Sequence, residues 1–307
     1  MIKIPEIIFE NKKGVFYFMR YEGTVYRPPS EAGSLIIQLT IGCARNKCTF
    51  CAMYKDKNFR IRKLEEVVED LRMARQYYHV PVKRIFLADG DALIVKTKDL
   101  LYILEKCKEI FPEVERISAY GAPKDILDKT PEELKTLKEA GLDMVYVGVE
   151  SGDDDVLKEV CKGVTAAEMI EAGLKAKQAG MIVSMTLISG LGGRKRLEAH
   201  AVNSAKVISA IKPEYVGFLT LMVEPGTPMY DQLRNGEIEL LKPEEVLEEM
   251  KLFLSNVDSE GTVFRSNHAS NYVPLGGTLN KDREKLLKQV QQAEERNNYR
   301  PESYRGL

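Results

Sequence analysis

The stretch SLIIQLTIGCARNKCTFC (34–51) runs from a block of apolar residues into a loop that carries three cysteines, Cys43, Cys48 and Cys51. An apolar block of this length is typical of a parallel strand that is buried on both faces. A disulfide joins two cysteines and a tetrahedral zinc ion takes four ligands, so three neighbouring thiols match neither count. The loop therefore indicates a site in which three thiolates leave one ligand position to another group.

Five further apolar blocks follow this first one, and amphipathic stretches separate them. The blocks lie at 84–89, 115–122, 144–150, 181–190 and 215–224. Six strand–helix repeats predict a parallel sheet with helices on its outside, and they are too few for a closed eightfold barrel. We predict an α/β fold, a partial (β/α)6 TIM-like barrel, with an open doubly wound sheet as the alternative. In both folds ligands bind at the carboxyl ends of the strands.

The six repeats form a predicted core over residues 34–230. Before it, residues 1–33 alternate in polarity around Glu22-Gly23, which predicts an N-terminal hairpin. After it, residues 231–307 combine helix-forming stretches with the irregular TVFRSNHASNYVPLGG (262–277). We interpret this last part as an extension that crosses the barrel and closes the substrate pocket.

Composition limits the classes of protein that fit. The 307 residues include 45 Lys and Arg against 46 Asp and Glu, which gives a formal net charge of −1. This balance does not favour a general nucleic-acid binder, which usually carries a basic excess. No apolar run is long enough for a membrane span, and the first residues lack the apolar core of a signal peptide. The sequence predicts a cytoplasmic protein.

An iron–sulfur cluster accounts for the three cysteines. A cuboidal [4Fe–4S] cluster has four iron corners, and thiolates are its usual ligands. Three cysteines on one loop hold three corners and leave the fourth iron open. The alternatives are a zinc or structural-metal site with a remote fourth ligand, an electron-transfer cluster in a redox or binding protein without turnover, and thiols that bind nothing.

The cysteine loop, GVESGDDDVLK (148–158) and EPGTPMY (224–230) together resemble the radical S-adenosylmethionine (radical SAM) superfamily, in particular the branch of oxygen-independent coproporphyrinogen oxidases and methylthiotransferases. The usual cysteine spacing of that family is three residues and then two, whereas this chain has C-x4-C-x2-C. The resemblance implies an enzyme with a [4Fe–4S] cluster and SAM as cofactors. Such an enzyme cleaves SAM reductively to a 5′-deoxyadenosyl radical, which abstracts hydrogen from a small organic substrate.

The resemblance also implies contacts with SAM in the first half of the chain. Phe50 precedes the third cysteine, where the family carries an aromatic residue that packs near the adenine; a plain core role is the alternative. The sequence ADGD (88–91) stands where the family carries a glycine-rich element whose backbone carbonyls receive the SAM ammonium. Asp89, Gly90 and Asp91 are therefore candidate cofactor-binding residues.

The remaining SAM contacts follow the fourth, fifth and sixth predicted strands. Glu150 and Ser151 end the fourth strand, where a polar side chain of the family bonds the ribose hydroxyls. Lys162 aligns with a basic residue that meets the SAM carboxylate; a solvated helix-end lysine is the alternative. The two residues Ser189 and Gly190 match the motif that supports the adenine, and Met222 offers a backbone contact to it.

Substrate chemistry is expected in the irregular C-terminal stretch. His268 titrates near neutrality and is a candidate acid or base, although its polar neighbours equally fit a purely structural loop. Tyr120, at the end of the third strand, is the second candidate catalytic residue.

Basic residues near the cysteine loop and after the fifth strand predict a rim that attracts an acidic partner, with solvated surface charge as the alternative. These residues are Arg45, Lys47, Lys55, Lys57, Arg60, Arg62, Arg194, Lys195 and Arg196. A reduced flavodoxin or ferredoxin is the expected electron donor, beside a small-molecule substrate.

Overall fold

The computed structural model of the chain describes residues 8–10, 16–18 and 20–306, with side chains from residue 20 onward. The described residues form two compact units. The first contains the residues up to 46, 53–146 and 178–181, and the second contains 47–52, 147–177 and the residues from 182 onward. The cysteine loop is divided between them, because Cys43 belongs to the first unit and Cys48 and Cys51 belong to the second.

Parallel strands with connecting helices make up the first unit. Its strands are β1 (Ile8–Glu10), β2 (Phe16–Phe18), β3 (Leu35–Gln38), β4 (Thr40–Ile41), β5 (Arg60–Ile61), β6 (Arg84–Ala88), β7 (Arg116–Tyr120) and β8 (Leu142–Glu150), the last of which continues into the second unit. Its helices are α1 (Leu64–Tyr77), α2 (Thr97–Ile110), α3 (Pro123–Asp128) and α4 (Pro131–Ala140). Strands β3, β6, β7 and β8 pair in this order, each parallel to the next. Their parallel direction brings the loops after β3, β6 and β7 to one edge.

Burial in the first unit follows the sequence pattern. Every residue of β3 and all but the first of β6 are buried, as expected of strands covered on both faces. Helix α1 buries Val67, Leu71 and Ala74, which recur at the spacing of one helical face. Helix α4 begins with a capping box of Thr130 and Glu133 and is capped at its end by Gly141, whose φ of 109° favours glycine.

The second unit contains the other half of the fold. Its helices are α5 (Asp154–Glu159), α6 (Ala166–Gln178), α7 (Gly193–Ile211), α8 (Pro228–Arg234), α9 (Pro243–Asn256) and α10 (Arg283–Glu295). Its further strands are β9 (Ile182–Ser189), β10 (Tyr215–Thr220), β11 (Val263–Ser266) and β12 (Leu275–Thr278). Strand β9 lies beside β8 and runs parallel to β10, so all six predicted strands are present. The predicted α/β class with a mostly parallel sheet is confirmed.

The C-terminal region differs from its predicted irregular form. Strand β11 pairs in parallel with β10, and β12 pairs antiparallel with β11. The stretch 262–277 therefore adds two strands to the sheet, because Val263 and Phe264 meet an unpaired strand edge at Tyr215 and Val216. The sequence of this mainly polar stretch did not show a strand pattern by itself.

The N-terminal hairpin lies at a different place from the predicted one. The antiparallel pair is β1 with β2, whereas residues 20–28 on both sides of Glu22-Gly23 contain no strand. Side-chain and backbone groups of this segment bond instead to β3: the Tyr21 hydroxyl donates to the carbonyl of Ile36 (2.7 Å), and the Glu22 N–H donates to Gln38 (2.8 Å). Within the described residues, no helix combines the length and the apolar composition of a transmembrane span.

Candidate functional site

Asp89, which follows β6, is the centre of a buried polar network in the first unit. Its carboxylate accepts hydrogen bonds from the Gln38 amide (3.1 Å to each oxygen), the Gly42 N–H (3.0 Å) and the Lys57 ammonium (2.8 Å). Burial raises the pKa of Asp89, and the hydrogen bond from Lys57 opposes that rise. Because Gly42 precedes Cys43, the network ties the start of the cysteine loop to the end of β6.

Gly90 is required by the close approach of an aromatic ring. A Cβ atom at this position would lie 2.6 Å from Cε2 of Tyr54, well inside van der Waals contact. The Gly90 N–H donates to the carbonyl of Gly42 (3.2 Å). The ring of Tyr26 in turn packs edge-on against Tyr54, with 5.4 Å between ring centroids. Only glycine lets the loop after β6 lie against both the Tyr54 ring and the residue before Cys43.

Asp91 and Asp125 form a buried acidic pair at the same edge of the first unit. Asp91 accepts a long hydrogen bond from the Ala122 N–H (3.4 Å), and Arg45 of the cysteine loop lies 3.9 Å from Asp125. Burial and the neighbouring Asp125 raise the pKa of Asp91 to about 8. Asp91 therefore holds its proton at neutral pH and does not present a full negative charge.

Tyr120 ends β7 and is half-buried among aromatic rings. Its ring packs edge-on against Phe86 (4.9 Å between centroids) and lies 6.2 Å from the ring of Tyr146. Burial raises the pKa of the Tyr120 phenol, so the hydroxyl stays protonated near neutral pH. The side chain is suited to donate a hydrogen bond rather than to act as a phenolate base.

In the second unit, Lys162 lies within electrostatic range of Glu150 and of two cysteines. Its ammonium donates to Oε1 of Glu150 (2.9 Å), and both side chains are mostly buried, at 14% and 13% exposure. Burial lowers the pKa of Lys162, but the Glu150 carboxylate and negative charge on Cys48 and Cys51 outweigh this effect and raise the pKa overall. A permanent cation is thus held near two of the three cysteines.

This ion pair depends on Gly148, which the sequence did not single out. A Cβ atom at Gly148 would overlap Oε1 of Glu150 and lie 3.2 Å from Nζ of Lys162. Glu150 itself has a φ of 64°, which is uncommon for a residue with a side chain. The signal in the sequence is the glycine that interrupts the strand-forming run VYVGVE (145–150), since glycine inside a strand often marks a close approach.

The residues between Cys48 and Cys51 are anchored within the second unit. The Thr49 N–H donates to the carbonyl of Val160 (3.0 Å), and the Thr49 carbonyl accepts from the N–H of Met229 (3.1 Å). Phe50 packs against an apolar cluster formed by Val156, Val160, Leu191, Leu221 and Met229. The ring therefore has a core role, and its predicted contact with an adenine stays a prediction.

Ser189 and Gly190 form the turn after β9, and a buried carboxyl lies behind it. The Gly190 N–H donates to Oε1 of Glu249 in α9 (2.9 Å). Burial raises the pKa of Glu249 to about 8, although the Gly190 N–H and the Ser189 hydroxyl act against that rise. Met222 is half-buried and follows Leu221, whose N–H donates to the carbonyl of Ser189 (2.9 Å).

His200 of α7 lies beside the same turn. Its Nε2 is 3.1 Å from the carbonyl of Ile188 and 3.7 Å from Glu249, and its Nδ1 is 2.7 Å from the hydroxyl of Ser151. Burial lowers the pKa of His200 to about 4, so the ring is neutral. Because a carbonyl only accepts, Nε2 carries the proton and donates to Ile188, while Nδ1 accepts from Ser151.

Glu249 and His200 were not among the site residues predicted from the sequence, although both lie in register with the buried face of a helix. Glu249 lies three residues after Val246 and four before Phe253, on the buried face of α9. His200 lies four residues before the buried Ser204 of α7. A titratable residue in register with an apolar helical face is a candidate for a buried polar network.

His268 belongs to a loop that is bound firmly to β10. The hydroxyl of Ser270 lies 2.9 Å from Nδ1 of His268, and the Ser270 N–H donates to the same nitrogen (3.2 Å). Asn271 bonds to the hydroxyl of Thr220 (3.0 Å) and donates to the carbonyl of Phe218 (2.7 Å). Burial lowers the pKa of His268 from 6.5, so the ring is mainly neutral at pH 7.

Most of the basic residues predicted to form a rim have acidic partners. Lys57 and Arg62 are buried and pair with Asp89 and Asp70. Further pairs join Arg60 to Glu22, Arg194 to Glu239 and Glu245, and Arg196 to Asp153 and Asp155. Paired charges produce a weaker long-range field, so the rim is less basic than a count of its residues indicates.

The cysteines are all free thiols, and Cys43, Cys48 and Cys51 are partly exposed. In the part of the chain that the structure describes, no three His, Cys, Asp or Glu side chains are grouped to hold a single metal ion. A zinc ion needs its ligands around one centre, whereas an iron–sulfur cube carries each thiolate on a different iron. Three thiols on one loop are the ligand type of such a cube.

Comparisons with known proteins agree with this arrangement. The sequence profile of the Radical SAM superfamily matches residues 37–203, which is more than half of the chain. The heme chaperone HemW of Bacillus subtilis (strain 168) is 25% identical over 198 residues, which are 64% of this chain and 51% of HemW. The uncharacterized methyltransferase PH0819 of Pyrococcus horikoshii is 25% identical over 198 residues, or 64% of this chain and 41% of that protein. The chain thus spans about half or less of the length of these relatives.

Two solved structures show the same fold. Coproporphyrinogen III oxidase (HemN) from Escherichia coli aligns with a TM-score of 0.54 at 16% identity, over 72% of this chain and 52% of HemN. Methylornithine synthase (PylB) aligns with a TM-score of 0.50 at 17% identity, over 85% of this chain and 81% of PylB. The predicted fold class, an α/β fold of the partial TIM-like barrel type, agrees with this likeness.

Members of the superfamily use a [4Fe–4S] cluster and SAM, and the residues in place fit both groups. Three free thiols follow the first strand of the parallel sheet. In the second unit, the buried pair of Lys162 and Glu150 offers a cation for a carboxylate and acceptors for hydroxyl groups. On the match of its sequence to the family profile, this chain belongs to the radical SAM superfamily.

Proposed function

We propose that this protein is an enzyme that cleaves SAM reductively and uses the resulting radical to abstract hydrogen from a small organic substrate. When bound, the [4Fe–4S] cluster supplies the electron that cleaves SAM to methionine and a 5′-deoxyadenosyl radical. The observation that carries the proposal is the set of three free thiols on one loop in a chain of this family. Cys43, Cys48 and Cys51 are the proposed ligands of three irons, and the fourth iron is left for SAM.

The Glu150–Lys162 pair is the proposed site for the polar groups of SAM. Lys162 binds the carboxylate of its methionine part, and Glu150 accepts hydrogen bonds from the ribose hydroxyls. Without SAM the two side chains satisfy each other at 2.9 Å. When SAM binds, Lys162 exchanges one carboxylate for another and Glu150 exchanges the ammonium for hydroxyl donors, so both side chains remain hydrogen-bonded.

The other proposed SAM contacts are made mainly through the backbone. Asp89 is fully bonded within the protein and Asp91 is protonated at neutral pH, so the carbonyl groups of residues 89–91, including Gly90, are the proposed acceptors of the SAM ammonium. Ser151 is proposed to lie at the ribose beside Glu150, and the proposed contacts on the adenine side are Phe50, Ser189, Gly190 and Met222.

Tyr120 and His268 are the proposed residues for substrate chemistry. Tyr120 is protonated and half-buried at a strand end, so it offers a hydrogen-bond donor. His268 is neutral at pH 7, and its Nδ1 accepts bonds within its own loop. The proton on Nε2 is then the one available to a substrate.

The reductant is proposed to be a reduced flavodoxin or ferredoxin, and the cytoplasm is the proposed location. Free thiols in the described residues fit a reducing compartment. The relatives include a heme chaperone and a methyltransferase by name, and this range does not narrow the substrate beyond a small organic molecule.

The experiment that tests the proposal is anaerobic reconstitution with iron and sulfide, followed by addition of dithionite and SAM. We expect a brown protein that binds iron and sulfide and releases 5′-deoxyadenosine. The Cys48→Ala variant is expected to lose both the cluster and the cleavage of SAM, whereas Cys107→Ala, at a buried helical thiol far from the loop in sequence, keeps both.

Three outcomes would each contradict a different part of the proposal. A colourless protein that binds zinc in place of iron and sulfide would favour the structural-metal alternative. A protein with a cluster that never releases 5′-deoxyadenosine would favour an iron–sulfur carrier without turnover. Cleavage that survives in Cys48→Ala would contradict the assignment of the three ligands.

A further inference from the structure

Two turns of the second unit share one buried support. The first turn, Glu150–Ser151, follows β8, and the second, Ser189–Gly190, follows β9. The imidazole of His200 connects them, because its Nδ1 accepts from the Ser151 hydroxyl (2.7 Å) and its Nε2 donates to the Ile188 carbonyl (3.1 Å). The imidazole that makes this connection is buried, since His200 is 1% exposed.

Glu249 extends the support to the second turn. Its carboxyl, 2% exposed, accepts from the Gly190 N–H (2.9 Å) and lies 3.7 Å from His200. Two helices, α7 and α9, thus supply one polar side chain each to consecutive backbone groups of a single turn. Gly190 has a φ of 86°, so the turn has the left-handed conformation that glycine adopts readily and that its neighbours must hold in place.

We infer that Glu249 and His200 are positioning residues that hold both turns in the geometry needed to bind the nucleoside end of SAM. This inference rests on the function proposed above, in which Glu150 meets the ribose and Ser189–Gly190 support the adenine. Neither residue is proposed to touch SAM. Each holds backbone groups that are proposed to contact SAM. A turn whose N–H and carbonyl are already bonded loses less conformational freedom when a ligand binds.

The support is built from neutral groups. Burial lowers the pKa of His200 to about 4 and raises the pKa of Glu249 to about 8, so both are uncharged near pH 7. A neutral acid and a neutral imidazole hold backbone groups without attracting ions or water to the base of the site. The geometry needs an acceptor at Oε1 of Glu249, which a glutamine also provides.

Binding of 5′-deoxyadenosine to the apoprotein tests the inference, because this nucleoside lacks the methionine groups that would reach an iron. Affinity is measured by ligand-observed NMR or equilibrium dialysis. We expect Glu249→Leu and His200→Leu each to bind about tenfold more weakly than the wild type, as expected for loss of a buried hydrogen bond. Glu249→Gln is expected to retain the wild-type affinity.

Matched controls separate the effect on the turn from a general loss of structure. Glu248→Leu changes the neighbouring, partly exposed position of α9, and His79→Leu changes an exposed histidine of the first unit. Both are expected to bind the nucleoside as the wild type does. If either leucine variant does not fold, His200→Gln keeps a polar side chain at that position, retains at most part of the support and is expected to weaken binding several-fold.

The cluster-loaded enzyme gives a second readout. Glu249→Leu is expected to raise the KM for SAM with kcat nearly unchanged at saturating SAM, and Glu249→Gln to restore the KM. Folded leucine variants that bind 5′-deoxyadenosine as tightly as the wild type would overturn the inference and leave the proposed function standing. A wild-type protein that binds neither the nucleoside nor SAM would overturn the proposed function, and the inference with it.

Discussion

Each of the two units holds a polar loop at the end of a strand, but one uses charged groups and the other uses neutral groups. In the first unit, Asp89 holds Gly42 through a carboxylate that is paired with the buried ammonium of Lys57. In the second unit, Glu249 holds Gly190 through a carboxyl that lies beside the neutral imidazole of His200. The first support is an ion pair and the second is uncharged. Loss of a partner and change of pH should therefore affect them differently.

The largest expected effect comes from breaking the charged support. Lys57→Met leaves the Asp89 carboxylate buried beside Gln38 and Gly42 with no cation, which costs about 3–5 kcal/mol of unfolding free energy for a buried pair. Denaturant unfolding of the apoprotein measures this loss. The control, Lys98→Met, changes an exposed lysine.

A double variant tests whether the loss of stability comes from the uncompensated charge on Asp89. Lys57→Met combined with Asp89→Asn removes both charges and is expected to recover a substantial part of the lost stability, because no uncompensated charge remains. If Lys57→Met alone unfolded with the wild-type free energy, the first support would not depend on its ion pair.

The next effect concerns the neutral support and depends on pH. The pKa of Glu249 is about 8 in the folded protein against 4.5 for a free glutamate. The protonated form is therefore favoured by folding, so the contribution of Glu249 to stability is complete below about pH 4.5 and is lost as pH rises to about 8. Glu249→Gln cannot ionise and does not show this loss.

We expect Glu249→Gln to lie within about 1 kcal/mol of the wild type near pH 5 and to exceed it by about 4 kcal/mol at pH 8. Thermal unfolding across this range measures the difference. Glu248→Gln on the partly exposed face of α9 is the control and should show no such growth with pH. If the stability advantage of Glu249→Gln over the wild type shrank as pH rises, Glu249 would be ionised in the folded protein.

A smaller effect is expected where a glycine makes room for a charged pair. Gly148→Ala places a methyl group against Glu150 and Lys162 and should displace their contact. We expect about tenfold weaker binding of SAM, which corresponds to the usual cost of an overpacked site. Gly217→Ala in β10 has only one backbone neighbour, at 3.9 Å, and is the matched control. Equal losses in both variants would argue against a specific role of Gly148.

The smallest effect is expected on the surface. Arg60 and Glu22 form an exposed ion pair, and such pairs contribute about 0–1 kcal/mol because water and salt screen them. Arg60→Ala should therefore change the free energy of unfolding only slightly, and less at high salt than at low salt. A loss as large as that of Lys57→Met would remove the distinction between buried and exposed pairs near the cysteine loop.

Much of the fold was predictable because it follows from local patterns. The six apolar blocks became strands since each is long enough to be buried on both faces, and the Thr130 capping box started α4 where its sequence indicates. The hairpin around Glu22-Gly23 and the irregular form of 262–277 were wrong for one reason. Whether a short segment becomes a strand depends on a partner edge elsewhere in the chain, and β10 provides that edge for β11.

The residues of the candidate site also fall into two groups, those that the sequence predicted and those that depend on distant contacts. The cysteines stood out by residue type and spacing, and Glu150 and Lys162 were predicted through the family resemblance; their contacts with SAM stay a prediction. Gly148, Glu249 and His200 were not, because each matters through a contact with a residue distant in sequence. Asp89 was predicted through the resemblance as a cofactor-binding residue, and its side chain bonds to Gln38, Gly42 and Lys57; no spacing rule reveals such a network.

By itself, the sequence determined the class of fold, the thiol set and the family, since strand length, helical periodicity and cysteine spacing are properties of neighbouring residues. Only the tertiary structure decided which polar groups are free to bind a ligand and which are used within the protein. The physical reason is burial: a polar side chain away from water must find a partner, and that partner comes from whichever element the fold packs against it.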